Sequence, residues 1–120
     1  MLLITGEAPD RLEFEAEAAM RLEAAAGRDA RGSYPTALTS RGPGRPIEIS
    51  FGPLLRALVR DVRQGAPAAA VSARFHESLA RLIVRVAEEA RQARGTEEVA
   101  LAGGVFLNRR LLESTEKRLL

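Results

Sequence analysis

Residues Glu97 to Leu112, EEVALAGGVFLNRRLL, decide how the rest of this chain is read. A short apolar run, Val99-Ala100-Leu101-Ala102, meets Gly103-Gly104 and passes into an amphipathic segment. That order predicts strand, tight turn, helix, and so an α/β domain. Glycine lacks a Cβ, so two in succession let the backbone bend sharply and let another molecule lie close against it. A helix starting there leaves its first N–H groups without intrahelical partners. Those amides, with the positive end of the helix dipole, suit a phosphate or a nucleotide. Asn108, one turn in, is placed to add a directional amide contact. The competing reading is a plain crossover turn in which the glycines serve geometry alone.

Outward from this stretch, the bulk numbers set bounds. A length of 120 residues fits one domain or part of one. Aromatic residues make up only 4% of the chain, so the core must rest on Leu, Val, Ile and Ala. Such composition leans helical. There is no cysteine, which removes disulfides, thiolate nucleophiles and cysteine-based zinc sites together. The apolar opening Met1-Leu2-Leu3-Ile4-Thr5 has neither a basic leader nor the length of a signal peptide. No later stretch approaches the ~20 apolar residues of a membrane span, so a cytoplasmic protein with no membrane contact is expected. Eighteen basic residues, all arginine but Lys117, stand against sixteen acidic ones. They alternate with glutamates along the helices instead of gathering on one face, which argues against nucleic acid as a partner.

The rest of the chain reads mainly as helices. Asp10 is a fair N-cap with Glu13 as its capping-box partner, and alanine-rich sequence then runs to Ala26 before Gly27. Glu13, Glu15, Glu17 and Glu23 are expected to form a wet helix face. Residues 28–46 form an irregular connection, with a short strand around Ala37-Leu38 and a helix-breaking run at Arg41-Gly42-Pro43-Gly44-Arg45-Pro46. Ile47 to Phe51 alternates like a strand. Gly52-Pro53 opens a second helix that Gly65 closes. Pro67 opens a third, to about Arg94, with Val71, Phe75, Leu79, Leu82, Ile83, Val86 and Ala90 on one buried stripe.

His76 is the sole histidine, and without a His or Cys partner it builds no metal site. A hydrogen-bonded, half-buried histidine beside Phe75 is expected. No Walker loop, G-x-G-x-x-G or Ser-His-Asp arrangement is present.

Three segments together resemble a known family. Phe14 to Glu23, FEAEAAMRLE, looks like the F/Y-E-G-Q-A-A-M-x-L-E box of the HypF-type hydrogenase-maturation carbamoyltransferases. Ala73 to Ala80, ARFHESLA, is similar to their A-x-x-F-H-x-[ST]-[LIV]-A helix. Ala102 to Leu112, AGGVFLNRRLL, is close to their S-G-G-V-F-x-N-R-x-L-L. The Phe75-His76 pair favours this family over its relatives, the tRNA threonylcarbamoyl-adenosine synthases. The resemblance spans the chain from about residue 10. It implies a single partial domain over 1–120, the C-terminal part of a Kae1-like domain. The expected fold is a partial actin/Hsp70-like (ASKHA, ribonuclease H-like) lobe, rich in helix with a few strands. It further implies ATP and carbamoyl phosphate as substrates, carbamoyl adenylate as the intermediate, and the C-terminal cysteine of a HypE-type acceptor protein as the target. By matching position, Gly103, Gly104 and Asn108 would contact the nucleotide or carbamoyl adenylate, and Glu15 would sit near its ribose.

The departures are specific. The family's Gly and Gln in the first box are Ala16 and Glu17 here, and a carboxylate accepts hydrogen bonds but donates none. The family's metal-binding histidines lie upstream of these motifs, and its acidic P-x-N-D-G-G ligand is expected after residue 120. Its acylphosphatase, zinc-finger and YrdC-like parts have no counterpart in this sequence, nor does any residue here suggest a catalytic base or nucleophile. The expected partner is therefore the remainder of such a carbamoyltransferase. The alternatives are a non-enzymatic interaction module or a fragment of a tRNA-modifying relative. An uncovered Val71–Val86 stripe would favour self-association.

Overall fold

The long helix is the axis of the molecule, and the other elements are best described by what they place against it. The computed structural model describes Arg11 and residues 13–120. In chain order the elements are α1 (Glu17–Ala25), β1 (Ala37–Thr39), β2 (Glu48–Ser50), α2 (Gly52–Arg63), α3 (Ala68–Arg94), a 3₁₀ turn (Gly104–Leu107) and α4 (Arg109–Leu119). Helix α3 starts after Pro67, whose fixed φ suits a helix entrance, and runs 27 residues, or about 40 Å. It ends at Gly95, which takes a left-handed φ of 67° and donates its N–H to Arg91 O at 2.7 Å.

One side of α3 meets α2 and the Tyr34 segment. Tyr34, Leu54, Leu58 and Val71 form a buried cluster, with Ala57, Val62, Ala66 and Phe75 packed around it. Tyr34 fastens the irregular connection to this core at both of its ends. Its backbone N–H donates to Ser78 Oγ at 2.6 Å, and its hydroxyl donates to Asp61 Oδ2 at 2.8 Å. Arg74 binds the same Asp61 oxygen at 2.5 Å and Arg31 O at 3.1 Å. Segment 28–36 is therefore irregular in dihedrals but held by defined bonds. The Tyr34 hydroxyl holds the Asp61 carboxyl below its ordinary range, with Arg74 adding to the effect.

The other side of α3 meets α1 and α4 through a polar seam. Ser72 Oγ donates to Leu22 O of α1. His76 Nδ1 lies 2.8 Å from Ser72 O, and a carbonyl only accepts, so Nδ1 carries the proton. Nε2 is then the acceptor of the neutral ring, and Asn108 Nδ2 donates to it at 2.8 Å. Asn108 Oδ1, thereby oriented, accepts from Leu111 N at 2.9 Å and caps α4. His76 is 2% exposed, not half-buried, because both ring nitrogens are satisfied within the protein.

Strands β1 and β2 pair antiparallel with Leu38 opposite Ile49, closing the Gly42–Gly44 turn as a hairpin. Both expected strands are found there, trimmed to three residues each. The expected strand at Val99–Ala102 is not. Those residues form no ladder, and the β1–β2 pair is the only sheet among the described residues. A strand exists by pairing its backbone with a neighbour, and none of the described residues pairs with this run.

Helix α1 opens at Glu17 rather than after Asp10, which lies outside the described residues. The cause is local. Ala16 sits at φ 62°, a left-handed conformation that interrupts the helix. Glu17 is not on a wet face: it is 3% exposed, accepting from Glu13 N at 2.6 Å and Arg21 Nε at 2.9 Å. The long-helix stripe is also covered better than expected. Val71 and Leu82 are buried, and Ile83 and Val86 are half-buried.

Three outcomes follow from these contacts. Ala16→Gly relieves a left-handed alanine and should raise stability by about 1 kcal/mol in urea melts. Tyr34→Phe should cost about 1–2 kcal/mol by loss of the bond to Asp61. The third concerns pH. Burial pushes His76 below its ordinary pKa of 6.5, so the unfolded chain takes up the proton first. Stability should be full above about pH 6.5 and fall as the pH drops toward the folded value. Denaturation of His76→Gln between pH 7.5 and 5 should lack that part of the slope.

Candidate functional site

The candidate site is the bend between the extended run Val99–Ala102 and helix α4. Gly103 adopts φ 97° and ψ 164°, a region open essentially to glycine alone. Gly104 has no such dihedral requirement, and a Cβ added to it would meet nothing within 4 Å. The fold therefore explains the first glycine and not the second. What Gly104 supplies is a bare backbone with open space before it.

The sequence reading placed a helix directly after the glycines, but a 3₁₀ turn intervenes. Phe106 N donates to Gly103 O and Asn108 N to Val105 O, closing the turn on itself. The N–H groups of Gly103, Gly104 and Val105 meet no acceptor among the described residues. Backbone N–H groups without an internal acceptor are able to donate to a ligand.

The start of α4 is already filled. Glu23 Oε1 accepts from Arg109 N at 2.7 Å and Arg110 N at 3.3 Å, and Asn108 Oδ1 takes the next amide. The carboxylate from α1 sits where an external anion was expected at this helix, and it offsets the positive end of the dipole. Glu23 is a partner that sequence reasoning missed. Its contact spans 86 positions, and the only hint was a glutamate closing the first motif.

The predicted site residues are thus unequal. Gly103 and Gly104 lie together in the bend, and their N–H groups meet no acceptor among the described residues. Asn108 stands beside them, but its oxygen and one N–H already serve α4 and His76, leaving one N–H for a ligand. Glu15 lies in the turn before α1 and is exposed. No bond joins it to the glycine bend among the described residues. Glu17, beside it, has both carboxylate oxygens engaged internally, and Glu13 N chiefly holds its carboxyl below the ordinary range. Val105 and Leu107 stand exposed on the same turn, at 58% and 88%.

A Cβ added at either Gly103 or Gly104 would meet nothing within 4 Å. Among the described residues no three His, Cys, Asp or Glu side chains come together.

The chain is similar to known proteins over most of its length. The family model for "Carbamoyltransferase, Kae1-like Domain, second subdomain" matches residues 4–120. The carbamoyltransferase HypF of Synechocystis sp. is 32% identical over 106 residues, 88% of this chain and 13% of that protein. A tRNA N6-adenosine threonylcarbamoyltransferase of Methanopyrus kandleri is 38% identical over 69 residues, 58% of this chain and 20% of that protein. A crystal structure of full-length HypF in the phosphate- and nucleotide-bound form superposes with a TM-score of 0.84 at 27% identity, covering 92% of this chain and 14% of that one. The chain thus spans about one-eighth of the length of the HypF relative it matches. Its helix-rich fold is Kae1-like, and the chain belongs to the HypF carbamoyltransferase family as the second subdomain of the Kae1-like domain.

Proposed function

We propose that this subdomain forms one wall of a nucleotide cleft in a HypF-type carbamoyltransferase. The observation that carries the reading is the bend itself. Three consecutive N–H groups meet no acceptor among the described residues, and a Cβ added at Gly104 would meet nothing within 4 Å. The superposition on a nucleotide-bound HypF structure supports the same reading.

In this proposal the amides of Gly103, Gly104 and Val105 receive a phosphate or the carbonyl end of carbamoyl adenylate. Donors fixed in the fold before the ligand arrives need no reorganisation when charge develops on it. The remaining N–H of Asn108 adds a contact, and its orientation is set by His76. Glu15, exposed ahead of α1, reaches the ribose. The assembled enzyme uses ATP and carbamoyl phosphate, and transfers the carbamoyl group to the C-terminal cysteine of a HypE-type acceptor in hydrogenase maturation. The subdomain is inactive alone, since its described residues gather no metal ligands and offer no nucleophile. The rest of the carbamoyltransferase is its partner, in the cytoplasm. No helix among the described residues is long and apolar enough to cross a membrane.

The ligand reading is tested on the chain itself. ATP titrated into ¹⁵N-labelled protein should shift the amides of Gly103, Gly104 and Val105 and the side chain of Asn108. Gly104→Val should weaken that response by about tenfold or more, on the order of 1.4 kcal/mol, with the fold unchanged by circular dichroism. An absence of shifts at saturating ATP favours an interaction module instead.

A further inference from the structure

A second concavity, of about 540 Å³, lies between α3 and α4 and shares no lining residue with the glycine bend. Arg81 and Arg85 enter it from α3, one turn apart on the same stripe, and Lys117 and Arg118 enter from α4. Val84 forms its apolar floor. One carboxylate, Glu77, stands among these cations, and it is fully engaged. Its Oε1 accepts from Arg81 Nε at 3.0 Å and from Arg118, and its Oε2 accepts from Ser114 Oγ at 2.9 Å. Glu113, on the next turn of α4, is turned to Arg109 instead.

The arrangement is one-sided in charge. Four cations face one neutralised carboxylate, and the like-charged pair Arg81/Arg85 slightly disfavours the helix. Helix stability does not account for the grouping. Glu77 acts as a brace: it uses Nε of Arg81 and leaves that residue's two terminal nitrogens without an acceptor among the described residues. Arg85 spends one terminal nitrogen on Thr36 O at 3.4 Å, and Lys117 is exposed without an acceptor among the described residues. Planar guanidinium forks and an ammonium on an apolar floor match the oxygens of a phosphate group. A concavity of this size is in the range of small-ligand sites.

We propose that this concavity binds a phosphate group, free or carried on a nucleotide, at Arg81, Arg85, Lys117 and Arg118 braced by Glu77. The test is a ¹⁵N titration of the chain with inorganic pyrophosphate and, separately, with ADP, each against potassium chloride of matched ionic strength. Saturable shifts at Arg81–Arg85 and Ser114–Arg118 are expected with at least one of the two ligands. Shifts with pyrophosphate identify the free phosphate, and shifts with ADP alone identify the nucleotide-borne one. Arg85→Ala with Lys117→Ala should weaken binding at least tenfold without altering the circular dichroism. Arg85→Lys with Lys117→Arg, which keeps the charge, should restore most of it. The proposal is overturned if the shifts match those of chloride, or if the double alanine variant binds as tightly as the parent.

Discussion

The buried ring of His76 is the joint on which the rest of the structure depends. A neutral imidazole offers one donor and one acceptor, and both are used inside the protein. The donor closes back on its own helix at Ser72 O, and the acceptor takes the amide of Asn108. That second bond sets which way the Asn108 amide points, and the amide in turn caps α4. An almost fully buried ring thus transmits the position of α3 to the entrance of α4. Ser72 extends the seam to α1 through Leu22 O. Three helices are held in register by polar groups that would be costly to leave unpaired.

This joint explains how the glycine bend holds its shape between two fixed ends. On one side Asn108 is tied down, and on the other the 3₁₀ turn closes through Gly103 O and Val105 O. Glu23 fills the start of α4, so the donors that remain are those of the bend. The two glycines divide the work. Gly103 permits the dihedral angles, whereas Gly104 leaves clear space in front of the amides. The departure at Ala16 has a structural reading of the same kind, since a left-handed position is one where the family's glycine would be unstrained.

Several apolar residues near the bend are exposed. Val99, Val105 and Leu107 lie on or just before it, and the run Val99–Ala102 pairs with no strand among the described residues. The HypF relative, of which the matched 106 residues make up 13%, is about seven times as long and has ample further chain to cover such a surface. The core built from Tyr34, Leu54, Leu58 and Val71 does not depend on that cover.

The sequence alone determined the helices, because their signals are local. Pro53 and Pro67 at entrances, Gly65 and Gly95 at exits, and apolar spacing between them mark α2 and α3 within one or two residues. The motif at Gly103–Asn108 was legible for the same reason, as a contiguous run. Tertiary structure decided everything that needed a distant partner. The apolar run at Val99–Ala102 reads as a strand, yet a strand is a property of two chains side by side. Glu17 and Glu23 read as solvated charges, yet one is buried by a local turn and the other is captured by amides 86 positions away. Ser72, His76 and Ser78 fall outside the apolar stripe, yet all three are buried, because α3 is packed on more than one side. Periodicity reveals a face that avoids water; it does not reveal polar side chains whose hydrogen bonds are completed by another helix.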